Sequence, residues 1–333
     1  MPRSSRRTRI TDVARLAGVS LSTVSRAMND NPTVDPALVA RVKAAAAELG
    51  YTANPVARSL VLGRTQTVAV VVPDLENPTF QAILRGLSHA AASDGYHVLI
   101  ADSVEDLDSE RALARTTRLR TDGLVLCSPR MPADELTDLL ADVSPAVVIN
   151  REELPDIPVI AADYGAALGE QIEHLRALGH TRLAYLAGST RSASHHARRE
   201  AIARARVDHP QIEVLEIPTG VDFESGRAAA DAVVDSRATG VLAFNDLVAM
   251  GLLTALADRG ILVPADISVV GFDDIPFAAH AHPPLTTSAV PAHELGARAW
   301  QAMHEQLEGH AAPGRQTLVP RMVVRASTAH VAH

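Results

Sequence analysis

Nine short apolar runs, each followed by an amphipathic stretch, constrain the fold of this chain more than any other feature. They lie at 68–73, 97–102, 123–128, 146–150 and 159–163, then at 182–188, 212–217, 241–245 and 267–272. A run that is apolar at consecutive positions, rather than alternate ones, must bury both of its faces. Strands of that kind, separated by helices, form parallel sheets covered on both sides. Five runs followed by four predict two doubly wound subdomains with a boundary near Asp163. A helix at 294–308 and a last strand at 318–325 follow, and pattern alone docks neither. A chain of 333 residues is long enough for two or three such units.

Residues 9–50 follow a different period. A first helix begins at Thr11 as its cap and is closed by Gly18, and Ser20 caps a second over 21–28. Asp35-Pro36 supplies a cap and an N1 proline to a third, whose inner stripe is Leu38, Val42, Ala45 and Leu49 before Gly50. The stretch from Asn54-Pro55 to Gly63 repeats that punctuation over two turns. A helix so short is unstable alone and forms only when something packs on it. Two helices joined through Ala17-Gly18-Val19-Ser20 have the form of a helix-turn-helix, whose second helix enters the major groove. Val13, Ala14, Val19 and Val24 would hold the pair together, leaving Leu21, Ser22, Thr23, Ser25, Arg26 and Asn29 outward. Arginine fits the O6/N7 edge of guanine bidentately, while hydroxyls and amides suit phosphate oxygens. A small helical hairpin packed on another element would give the same bare pattern.

Charge separates the same two regions. Residues 1–63 hold nine basic side chains against four acidic ones, for +5, and the rest holds 22 against 35, for −13. A basic head on an acidic body fits a head that meets a polyanion, although a solvated basic tail fits equally well. The single cysteine, Cys127, excludes an intrachain disulfide and reads as a buried strand residue. No apolar segment follows Arg3, Arg6, Arg7 and Arg9, and no run reaches the roughly 20 residues of a bilayer span, so a cytoplasmic protein with no membrane partner is expected.

The segment Ile10-Thr11-Asp12-Val13-Ala14-Arg15-Leu16-Ala17-Gly18-Val19-Ser20-Leu21-Ser22-Thr23-Val24-Ser25-Arg26-Ala27-Met28-Asn29 closely resembles the headpiece of the lactose-repressor (LacI/GalR) family. The resemblance implies that Leu21, Ser22 and Arg26 face bases and that Ser20, Thr23, Ser25 and Asn29 hold phosphates. Asn54-Pro55-Val56-Ala57-Arg58-Ser59-Leu60 looks like the family's hinge helix. There, paired leucines from two subunits wedge into the minor groove, which implies the same for Leu60, with Asn54 and Ala57 beside it and Arg58 near phosphate. The plain alternative is a linker with a chance apolar residue.

Doubly wound sheets bind ligands outside the carboxyl ends of their strands. Asp74, Asn77 and Phe80, then Asp102, then Arg151, stand after strand runs of the first set. His196, Arg198, Phe223, Asn245, Asp246 and Asp273 do so in the second. Polar forks beside aromatic faces suit a polyhydroxylated ligand. Asn77 and Asp246 are equally plausible as helix caps, and Phe80 or Phe223 as core. The stretches Asp74 to Phe80, Gly179-His180, Phe244-Asn245-Asp246, 267–274 and Pro284-Leu285-Thr286-Thr287 also resemble that family's periplasmic-binding-protein-like core. That implies effector contacts from Arg198, from Asn245 or Asp246, and from Asp273, with Phe80 and Phe223 lining the pocket. The arginine pattern at 191–199 departs from the family's sparser one, so Arg198 competes with Arg199, and His195 is expected to be exposed.

The implied organisation is a headpiece at 1–53 and a hinge at 54–63. A first core subdomain follows at 64–162 plus 292–320, and a second at 163–291 plus 321–333. The implied protein is a homodimer, since no leucine heptads follow Thr328, on a palindromic double-stranded operator and controlled by a small-molecule effector, a sugar. A purine or nucleoside effector is the alternative. No phosphate loop, nucleophile elbow or metal spacing appears, so neither catalytic residues, cofactor nor metal are expected. A transport solute-binding protein would carry a secretory signal where this chain carries a helix-turn-helix.

Overall fold

The computed structural model describes residues 8–28, 33–51, 63–152, 154–311 and 314–331. It divides into two compact units, Met1–Gln66 and Thr67–His333.

The first unit has α1 (Ile10–Ala17), α2 (Leu21–Met28) and α3 (Pro36–Glu48). Helix α1 starts before Thr11. The Asp12 carboxylate reaches back to accept the Arg9 N–H at 3.0 Å, so Arg9 occupies the capping position in place of Thr11. Gly18 closes α1 at φ 61°, the left-handed conformation that only glycine adopts freely. Ser20 Oγ accepts the Thr23 N–H at 3.2 Å, and Asp35 accepts from Ala37 N at 2.7 Å. Val13, Ala17, Val24, Ala27, Val42, Ala45 and Ala46 bury one stripe from each helix in a common core. Small residues dominate it, so the helices approach closely and each substitution there is felt.

In the second unit, β1 (Thr67–Val72), β2 (His97–Asp102), β3 (Gly123–Cys127), β4 (Ala146–Ile149), β5 (Val159–Ala162) and β11 (Gln316–Leu318) form one parallel sheet. Its order is β11-β5-β4-β3-β1-β2. Both faces are covered: Val68, Val70 and Val72 enter one core, Ala69 and Val71 another. The apolar run is continuous for that reason. A second parallel sheet has β6 (Arg182–Ala187), β7 (Glu213–Pro218), β8 (Gly240–Leu242) and β9 (Ser268–Val270) in the order β7-β6-β8-β9.

The chain returns between the sheets near its end. Helix α12 (Ala292–Leu307) packs on α4 (Pro78–Ser93), the helix after β1. The pair is close because Gly86 and Gly296 lack side chains: a Cβ at either would lie 2.0 Å from a carbonyl oxygen of the other helix. The expected last strand at 318–325 is instead two. Strand β11 joins β5, and β12 (Arg321–Val323) pairs antiparallel with β10 (Thr287–Ala289). Pro320, lacking an N–H, breaks the ladder between them. Cys127 is buried in β3, and burial pushes its thiol up to about 12.

Candidate functional site

Two surfaces carry chemistry. On α2, Val24 and Ala27 face inward, so Ser20, Leu21, Ser22 and Arg26 stand exposed with Thr23 and Ser25 beside them. Ser20 Oγ lies 2.8 Å from Ser22 Oγ and 2.9 Å from Thr23 Oγ1, a cluster of hydroxyls at the helix start. Arg26 Nε donates to Ser22 O at 3.3 Å, which lays the side chain along the helix, and no hydrogen bond from its terminal nitrogens is seen among the described residues. Leu21 is an exposed apolar side chain at 48% accessibility on the same face. Asn29, Asn54, Ala57, Arg58 and Leu60 lie outside the described residues.

The second surface is a cleft in the Thr67–His333 unit. In each sheet strand order reverses next to the first strand, between β1 and β3 and between β6 and β8. The carboxyl ends at those two switch points face one cavity. Asp74, Asn77, Thr79 and Phe80 follow β1, Ser128 and Arg130 follow β3, Ser192, Ser194 and Arg198 follow β6, and Phe244 and Asn245 follow β8. Glu105, Tyr164, Val221 and Asp273 complete the wall. The space left among them is about 40 Å³, enough for a few waters and not for a sugar ring.

At its centre is Arg198, on α8 (Ala193–Asp208) and almost wholly buried. Its guanidinium carbon lies 4.9 Å from the Tyr164 ring centre, 4.5 Å from Phe244 and 4.1 Å from Phe272. One nitrogen donates to Ser194 Oγ at 3.3 Å, but Nε–H has no hydrogen-bond partner among the described residues. A buried cation with an unused donor is costly unless a ligand completes it. Across the cavity, burial pushes the Asp273 carboxyl up to about 6, opposed by the Thr79 hydroxyl and the Arg198 charge. Burial also raises Asp74, against the Glu76 N–H that its carboxylate accepts at 2.7 Å.

Arg130 is held as a fork. Its Nε and a terminal nitrogen donate to Glu105 at 2.8 and 2.7 Å. Beneath it the buried Glu110 carboxylate accepts the Arg130 and Met131 N–H groups. Asn77 and Asn245 both line the cavity and cap α4 and α11 (Asp246–Asp258), accepting from Thr79 N and Val248 N at 2.9 Å each. Cap and ligand contact are compatible, because the cap uses only the amide oxygen; the Asn245 NH₂ spends one hydrogen on Val221 O at 2.7 Å and has a second to donate.

Of the expected effector residues, Asp74, Asn77, Phe80, Arg198, Asn245 and Asp273 line the cavity. Asp102 and Phe223 do not, because β2 and β7 are edge strands away from the switch points. The Asp102 carboxylate instead accepts from Leu75 N and Val104 N. Arg151 ends β4, donates to Met131 O at 2.9 Å, and opens with His196 onto a neighbouring cavity. Asp246 is buried behind the wall, accepting the Thr287 hydroxyl at 2.6 Å and Ile275 N–H at 2.8 Å. Burial and then Asp273 raise its pKa well above the ordinary range. It positions the loop that carries Asp273 and is not among the residues lining the cleft. His195 is not exposed: it stacks on Tyr185 at 6.0 Å and lies 3.8 Å from Glu216, and burial lowers its pKa. Arg199 pairs with Glu216 at 3.2 Å, so of the two neighbouring arginines it is Arg198 that enters the cleft. Ser128 and Arg130 are absent from the expected set, although they end the third apolar run and the strand-end rule reaches them too. Among the described residues, no group of three or more His, Cys, Asp or Glu side chains is placed to hold a metal ion. No helix among them is long and apolar enough to cross a membrane.

Comparison with known proteins agrees across the chain. Residues 9–54 match the model for bacterial regulatory proteins of the lacI family, and residues 172–328 match a periplasmic binding protein-like domain. The HTH-type transcriptional repressor CytR of Escherichia coli (strain K12) is 32% identical over 325 residues, covering 95% of each chain. The lac repressor dimer bound to operator and the anti-inducer ONPF superposes with a TM-score of 0.89 at 27% identity, over 97% of this chain and all of that one. A LacI family transcriptional regulator from Enterococcus faecium with bound ribose gives 0.72 at 28% identity, over 80% of this chain and all of that one.

Proposed function

This chain belongs to the lacI family of bacterial regulatory proteins, a family of DNA-binding transcriptional regulators, and from that membership we propose that it is a repressor of sugar-utilisation genes released by a carbohydrate effector. The observation that carries the effector reading is Arg198: a buried guanidinium, stacked by three rings, with one donor unused, at the junction of both sheets' switch points. Amides and carboxylates from Asn77, Asn245, Asp74 and Asp273 offer hydroxyl partners, and Phe80, Tyr164 and Phe244 offer faces for C–H groups. With only about 40 Å³ free, a ring enters when the two lobes part, so ligand binding and lobe angle are one equilibrium.

Leu21, Ser22 and Arg26 read bases and Ser20, Thr23, Ser25 and Asn29 hold phosphates, while Leu60 wedges the operator centre with Asn54, Ala57 and Arg58 around it. The protein acts as a homodimer on a palindromic operator in the cytoplasm and catalyses no reaction. The dimer is supported by β2, an edge strand with Leu99 and Ile100 exposed, since bare apolar edges are normally covered. The headpiece is tested directly. Arg26→Ala should cost about 1–3 kcal/mol of operator affinity and relax one base position. Unchanged preference in a selection from random DNA contradicts the assignment. Leu60→Ala should weaken the specific operator and spare nonspecific DNA. Wild-type operator affinity in that variant removes the wedge.

A further inference from the structure

Three residues before Arg198 on α8 stands a histidine buried as deeply: His195 and Arg198 are each 1% exposed. Its ring is held from three elements. Nδ1 lies 3.3 Å from the Tyr185 hydroxyl of β6, and the two rings stack at 6.0 Å. Nε2 faces Glu216 of β7 at 3.8 Å, and that carboxylate already pairs with Arg199 at 3.2 Å. On α8 itself His196 meets the imidazole edge-on at 6.0 Å. Tyr185, His195 and Glu216 are not among the residues that line the cleft.

The carboxylate opposite Nε2 favours the tautomer with its hydrogen there, which leaves Nδ1 as an acceptor. Burial pushes the Tyr185 hydroxyl up to about 12, opposed by the charge of Arg198 and a side-chain hydrogen bond with it. The hydroxyl therefore keeps its proton and can donate it to Nδ1. Its lone pairs remain for Arg198, which has donors only. Burial lowers the His195 pKa against the pull of Glu216, and the charges of His196, Arg199 and Arg198 add to that lowering. A proton forced onto His195 reverses the order: Nδ1–H donates, the hydroxyl accepts, and its own hydrogen must turn toward the guanidinium. We propose that His195 is a positioning residue for Arg198, acting through the Tyr185 hydroxyl, and that a proton on His195 weakens effector binding. The inference rests on Arg198 as the effector's partner in the cleft and adds what holds it there. Effector affinity should fall as pH drops below the ordinary histidine value of 6.5.

Calorimetric titration of the full chain with ribose, glucose, galactose, maltose, adenosine and cytidine at about pH 8 selects the tightest binder, which is then titrated again at about pH 5. The Asp273 carboxyl titrates in every variant alike, so the comparison is between proteins. In His195→Asn the amide oxygen can accept from Tyr185 but takes no proton. The wild type's loss of affinity on acidification should exceed that variant's by about threefold or more. Tyr185→Phe keeps a titrating His195 without the connecting hydroxyl and should lose the same excess. A further arm needs no variant to fold: in the wild type, the compound should lower the His195 pKa read from its ring-nitrogen NMR signals by about half a pH unit or more, the same threefold. Equal losses in all three proteins, an excess that survives in Tyr185→Phe, or a His195 pKa unmoved by the compound overturns the relay. A nucleoside as the tightest binder removes the carbohydrate reading while the same titrations still decide the relay. If none of the six compounds binds, Arg198 loses its place as an effector partner and the inference falls with it.

Discussion

Burial holds the Asp273 carboxyl at about 6 against an ordinary 3.8. The native chain therefore keeps the proton over a pH range in which the unfolded chain has released it, and stability falls as pH rises through that window. Below about pH 4 both states are protonated and no cost arises; above about 6 the cost is complete, on the order of 3 kcal/mol. Asp273→Asn carries no charge, and asparagine tolerates the residue's φ of 107° better than most side chains. Its melting temperature should exceed the wild type's at pH 7.5 and converge on it at pH 4, and an equal gap at both pH values contradicts the assignment. Arg198→Met makes a parallel case: three rings close around an apolar chain, so the variant should melt at or above the wild-type temperature while losing every effector-induced shift. A variant that still shifts with effector removes Arg198 from the site. Neither environment was legible in the sequence. Arg198 and Arg199 are neighbours of identical type, and only the helical period of α8 turns one into the rings and the other toward Glu216.

At the scale of elements, the contact between α4 and α12 depends on two missing side chains. Gly296→Ala places a Cβ 2.0 Å from the Ile83 carbonyl oxygen, a backbone atom that cannot step aside. The helices must separate, and we expect a loss of about 1–3 kcal/mol, read as a lower midpoint in urea with the slope unchanged. An unchanged midpoint contradicts the close packing. The elements themselves were largely readable: continuous apolar runs give the parallel strands because both faces are covered, and Ser20, Asp35 and Asn77 cap as their types demand. Thr11 was misleading because the Asp12 carboxylate accepts the N–H of Arg9, two residues upstream of the apparent cap. The break at Pro320 is written in the sequence, but which sheet each half joins depends on α12 having already crossed over. Strand-end reasoning overreached at Asp102 and Phe223 because a sequence does not display strand order, and only ends beside a switch point meet the cleft.

The whole molecule joins a basic DNA-reading head to an acidic ligand-binding body. Coupling between them is a free energy, so operator and effector must change each other's affinity by one common factor. Salt should separate the two partners: operator affinity falls steeply with ionic strength through counterion release, whereas binding of a neutral sugar in the cleft barely responds. The most direct test is fluorescence-anisotropy titration of an operator selected by this protein from random-sequence DNA, with and without saturating effector, in the wild type and in Arg198→Met. Effector should weaken the wild type's operator binding by about tenfold or more and leave the variant's unchanged, with equal affinities in its absence. An effector that shifts both proteins alike, or neither, contradicts control of DNA binding through this cleft.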